Sequence, residues 1–126
     1  MQLDQLAAVL GSVMTVDSAD DALTVTHAGT VASLRVVAIA DGLDMVSLTQ
    51  PLAWDLLVDN DIRDRIAGHA AATMLGTVVL VPRSADKADV MLRYNFPAAG
   101  LGDDALRTLI MMVLSTGADV RADLAS

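Results

Sequence analysis

The chain has no Cys and no Glu, a single Lys (Lys87) and two His (His27 and His69). Nucleophiles, metal ligands and general bases come mostly from these residue types, so their scarcity argues against most enzyme classes. Without Cys there is no disulfide framework, which fits a reducing cytoplasm. Aromatic side chains are limited to Trp54, Tyr94 and Phe96. The core must therefore be built from Leu, Val, Ile, Met and Ala. No apolar run approaches the ~20 residues of a membrane span, and stretches such as 110–114 are far too short. Residues 1–13 lack a basic start and carry Asp4, so a secretory leader is not expected.

What is present is apolar and acidic. The 126 residues are 54% hydrophobic with a mean hydropathy of +0.52, enough for one domain spanning 1–126. With no membrane segment to absorb that hydropathy, the expected outlet is a subunit interface or a partner-binding patch. Sixteen Asp against eight Lys plus Arg give a net charge of −8. That charge disfavours nucleic acid, whose phosphates it repels. It keeps an apolar-rich chain dispersed, and it could also steer a basic partner.

Periodicity gives the elements. Leu3, Leu6, Leu10 and Val13 share a helical face over 1–13. Residues 15–21 read as a polar turn. Alternation over 22–27 predicts a half-buried strand, Ala28-Gly29 a turn, and 31–40 a second strand. Asp41-Gly42 is the strongest hairpin signal, leading to a third strand over 43–49. Residues 51–58 fit either a strand continuing past Pro51 or the start of a helix. Asp59 and Asn60 are N-cap candidates for a helix over 61–74, with Ile62, Ile66, Ala70 and Met74 at steps of four. Gly68 and the Ala run make that helix slim, suited to lying between two surfaces. Short strands follow over 77–82 and 89–96. A last helix starts at Asp103, carries Leu106, Leu109, Ile110, Val113 and Leu114 on one stripe, and is expected to end at Gly117. The order α-β-β-β-α-β-β-α is an α+β fold, a twisted antiparallel sheet with helices packed on it.

No residue set carries a catalytic or metal signature. Asp59-Asn60-Asp61 opens like a calcium loop, but Asp64 and Ala70 stand where that loop needs Gly and Glu. Helix capping accounts for the cluster. Asp17, Asp20 and Asp21 read as a solvated turn, and neither His has a second ligand at metal spacing. Gly100-Leu101-Gly102 precedes a helix, but Asp103 and Asp104 would repel a phosphate there. No cofactor is expected. Trp54, flanked by Leu52, Leu56 and Leu57, is either core or an interface anchor. The candidate partner or dimer contacts are Trp54 with Ile62, Ile66, Ala70 and Met74.

From about residue 57 onward the chain resembles a known pattern. The Asn-containing helix start at 59–61 leads to a strand, then to Val90-Met91-Leu92-Arg93-Tyr94-Asn95-Phe96-Pro97, then Gly100-Leu101, and then a helix with Leu106, Ile110 and Leu114. This is similar to the YbjN-type family, described as bacterial sensory-transduction regulators with a fold like that of type III secretion chaperones. The resemblance implies a compact homodimer that holds another polypeptide or modulates a signalling component. Together with composition and charge, the leading expectation is a non-enzymatic cytoplasmic domain that self-associates and binds a protein partner, with neither nucleic acid nor membrane as partner. It carries no catalytic residues. A small-molecule sensor with an apolar pocket between sheet and helices is the alternative.

Overall fold

The computed structural model describes residues 2–125. Among these, the elements run α1 (Leu3–Leu10), β1 (Thr15–Ala19), β2 (Ala22–His27), β3 (Thr30–Ala40), β4 (Leu43–Leu57), α2 (Asn60–Ala72), β5 (Thr77–Pro82), β6 (Lys87–Pro97) and α3 (Asp103–Ala125). The strands form a single antiparallel sheet in the order β1-β2-β3-β4-β6-β5. The helices lie on one side of it, with α1 against β1 and β2, α2 against β5, and α3 across β4 and β3. The architecture is the expected α+β open sheet, with one strand more than periodicity indicates.

That extra strand is β1. Its sequence, Thr-Val-Asp-Ser-Ala, is polar because the strand is an edge and only Val16 is half-buried. Asp20 and Asp21 form the tight turn between β1 and β2, with Asp20 at a φ of 45°. Asp41-Gly42 makes the two-residue turn between β3 and β4, with Gly42 in the left-handed region that the turn requires.

The covered face holds Leu23 and Val25 of β2, Ala32 and Leu34 of β3, Val46, Leu48 and Leu52 of β4, and Val90 and Leu92 of β6. Leu106, Ile110, Val113 and Leu114 of α3 close over them, with Leu6 and Leu10 of α1 alongside. The first helix stops at Gly11, leaving Val13 exposed instead of on the helical face. Its remaining turns are tied to α3 by Arg107, which donates to the Val9 carbonyl at 3.1 Å.

Two expectations about the helices are corrected. Helix α2 is not sandwiched: a Cβ built at Gly68 would meet nothing within 4 Å, so that face is open. Helix α3 does not end at Gly117 but continues to Ala125. The glycine is there because Gln50 from β4 presses against it. A Cβ at 117 would sit 1.8 Å from Gln50 Oε1. Gly117 is a close-approach residue within the helix, not a stop signal.

Candidate functional site on the open face of the sheet

The sheet face opposite the helices is uncovered, and its composition follows from the strand registers. Asp17, Thr24, Ser33, Thr49, Arg93 and Thr77 lie in one cross-strand row. Arg35, Ser47 and Asn95 form the next. Beyond them stand Val37, Met45 and Pro97 on one side, and Val31, Pro51, Met91 and Val79 on the other. The face is therefore a polar middle band between two apolar margins, with Val31 and Val37 both exposed.

A groove opens in the second margin because β3 and β4 part company. Their pairing runs from Ala40↔Leu43 to Ser33↔Thr49, so Pro51 lies beyond the ladder and its missing N–H leaves no partner on β3 unsatisfied. On the covered side the Gln50 side chain spans the gap. Its Nε2 donates to Thr30 Oγ1 at 2.9 Å and to the Leu114 carbonyl at 3.1 Å. Thr30 in turn donates to the His27 carbonyl at 2.7 Å. Both Gln50 and Thr30 are buried, so one side chain joins two parting strands and a helix. On the open side the gap is a groove of about 230 Å³ bordered by Thr24, Val31, Ser33, Thr49, Pro51, Trp54 and Met91.

Trp54 is displayed at this groove by an irregular stretch of β4. The register against β6 shifts between Pro51 and Ala53 and again between Ala53 and Leu56. Asp55 sits at a φ of 50°, a left-handed conformation that a non-glycine residue adopts at a cost of roughly 1 kcal/mol or more. The fold holds it there. The Asp55 backbone N–H donates to Asp89 Oδ1 at 2.8 Å, while Arg83 clamps Asp89 Oδ2 through Nε and Nη2. Asp89 is only 2% exposed. The Arg83 hydrogen bond, helped by the Asp55 N–H, holds its carboxyl below the usual carboxylate range despite the desolvation that opposes this. The outcome is an indole 63% exposed at the rim of an apolar groove. Bulges commonly re-aim a side chain in this way.

The residues singled out from helical spacing do not stay together. Ile66 is 6% exposed and part of the chain's own core, and Ile62 packs half-buried beside it. Both side chains seat α2 on the core. Ala70 is exposed, and Met74, just past the helix, is 90% exposed. Trp54 lies on the sheet, away from that stripe. Sequence reasoning missed the groove itself, since nothing in the residue pattern shows where two strands diverge; the one available signal was Pro51.

Other polar clusters have structural roles. Asp59 caps α2 through Oδ1, which accepts from the Ile62 N–H at 2.8 Å. Asp123 near the end of α3 accepts from His69 Nε2 at 2.6 Å and pairs with Arg65 at 3.1 Å. Arg65 also donates to the Asp123 carbonyl, tying α2 to the last turn of α3. The hydrogen bonds from His69 and Arg65 hold the Asp123 carboxyl below its ordinary value. Asp20, Asp21 and Asp44 border one open groove, yet no three His or acidic residues among those described are grouped to hold a metal ion. No helix among the described residues is long and apolar enough to cross a membrane.

The fold is similar to that of YbjN from E. coli, a candidate transcription regulator, with a TM-score of 0.65 at 12% identity over 98% of this chain and 90% of that one. At that identity the likeness is one of fold. No family profile and no curated protein matches the chain.

Proposed function

We propose that this protein is a non-enzymatic binding module that receives a polypeptide on the open face of its sheet, in the manner of a small chaperone or regulatory adaptor. The observation that carries the reading is Trp54, held outward by a strained, clamped bulge beside an apolar groove. A chain with one Trp that spends strain to expose it has a use for the indole outside its own core. The neighbouring fold of a candidate regulator agrees with a binding role. The apolar groove lies on the uncovered face and not between sheet and helices, which favours a polypeptide over a small-molecule sensor.

In this reading the chain is cytoplasmic and self-associates as a homodimer. The α2–β5 side suits the second copy, because Met74 and Ala70 are exposed there and β5 is an edge strand with apolar Val79 and Val81. Such an edge invites pairing with another chain. The open face then stays free for a different polypeptide, as it would in a type III secretion chaperone-like arrangement. The test uses a permanently unfolded probe, reduced and carboxamidomethylated lactalbumin. It should co-elute with the native chain and fail to do so with Trp54→Ala, whose melting temperature should be unchanged. Equal co-elution by both forms would contradict the reading.

A further inference from the structure

Resting on the open face as the docking surface, we propose that its partner is an acidic polypeptide segment, bound through its carboxylates by Arg35 and Arg93 and anchored by an apolar side chain in the Trp54 groove. Across β3, residues 43–51 of β4 and the 91–97 stretch of β6, the outward positions include two charged residues, and both are arginines; Asp55, further along β4, is paired with Lys87 at 3.7 Å. Both arginines are exposed, and neither has an ion-pair partner among the described residues. This occurs in a chain with sixteen Asp and a net charge of −8, where most of the arginines named in ion pairs meet an Asp close in sequence or across a helix contact. Arg63 and Arg121 also lack an ion pair among the described residues, but each stands on a helix; Arg35 and Arg93 are two bare guanidinium groups close together on one sheet face beside the groove, and that pairing marks the place where a carboxylate is accepted.

The spacing is usable. Arg35 stands opposite Ser47, and Arg93 opposite Thr49, which places the two arginines two strands and one pleat apart. That is about 12 Å between Cα atoms from standard sheet dimensions. Acidic residues four apart in an extended segment span roughly 13 Å. Each guanidinium can take a carboxylate with two parallel N–H donors, a geometry Lys cannot reproduce. Ser33, Ser47, Thr49 and Asn95 lie between and beside them as hydroxyl and amide partners for a backbone. Asp17 lies on the same row but at the β1 edge, four strands from Arg93, and the other Asp residues repel the same segment from the rest of the surface, so charge selects the face as well as the partner. Beyond about 8 Å at physiological salt this repulsion is screened, whereas contact with the arginines is not.

The experiment is selection of a displayed library of random dodecapeptides on the full chain and on the Arg35→Gln/Arg93→Gln double variant, with Trp54 emission reporting occupancy. Both arginines are exposed, so the variant should melt with the native chain. The native pool should be enriched in Asp and Glu with a spaced apolar residue. Individual peptides from it should bind at least tenfold more weakly to the double variant and shift Trp54 emission to the blue. Restoring charge with Lys at both positions should recover part of the loss. A selected pool that is neutral or basic, yet still shifts Trp54, would overturn the acidic partner and leave the docking face standing. Absence of any selectable peptide would overturn both. Displacement of the acidic peptides by random single-stranded RNA at equal charge, lost in the double variant, would replace the polypeptide with nucleic acid and overturn the proposal. A native Trp54 emission already blue and reddening on dilution would assign the face to a second copy, and would also overturn it.

Discussion

Gln50 and Gly117 are the residue pair on which the rest of the site depends. One buried amide joins β3, β4 and α3, and only a glycine lets the helix come that close. Gly117→Ala should destabilise the protein by about 1–3 kcal/mol through overpacking, even though alanine gains roughly 1 kcal/mol of helix propensity over glycine. Denaturant melts of Gly117→Ala, Gln50→Ala and the double variant check this. The two changes should be strongly non-additive, with Gln50→Ala relieving the clash. Additive effects would mean the pair does not touch. Asp89 makes a second residue-scale case. Asp89→Ala removes the acceptor for the Asp55 N–H, so the near-ultraviolet circular dichroism of the lone Trp should fall while the far-ultraviolet signal holds. An unchanged near-ultraviolet band would show that the bulge needs no clamp. Legibility at this scale was uneven: the capping role of Asp59 can be read from spacing, whereas Gly117 looks like a helix end because nothing local reveals Gln50 across the core.

At the scale of elements, α2 is held to α3 largely by the Arg65–His69–Asp123 clasp. Folding lowers the affinity of both Asp123 and Asp89 for protons. A carboxyl with a lowered folded pKa contributes stability that is complete above its unfolded value, about 3.9, and is lost as pH falls through the folded value below it. The urea midpoint should therefore stay level as pH drops from 7 to about 5 and then fall below about 4. Asp123→Asn should lower the midpoint at pH 7 and flatten part of the acid fall. An identical acid slope in the variant would contradict the clasp. The same scale shows why some elements were legible and others not. Strand β2 matches its alternation, β5 is the short apolar strand expected over 77–82, and the Asp41-Gly42 hairpin matches its turn chemistry. The edge strand β1 hides because it buries almost nothing, and the outer half of β4 hides because Pro51 normally ends a strand. That proline is tolerated because β3 has already turned away.

For the whole molecule, the surplus of apolar residues is the feature the sequence shows most plainly, and the structure locates much of it. Val31, Val37 and Trp54 stand on the open face, and Met74 and Leu57 stand exposed elsewhere. Composition alone gives the amount of such surface but not its place, because placement depends on which sheet face the helices leave bare. The proposed homodimer predicts a scattering mass of about twice the 13.1 kDa chain at micromolar concentration, reduced by Met74→Asp. A mass of one chain at all concentrations would rule the dimer out. The central claim is that the bare face of the sheet is occupied by another polypeptide. It is tested most directly by placing a photo-reactive amino acid at Ser33 on that face and, separately, at Ala122 on the outer side of α3, and irradiating the cells that make the protein. The account predicts discrete polypeptide adducts from position 33 that vanish with Trp54→Ala, and none from position 122. Adducts of equal yield from both positions, or none from position 33, would contradict it.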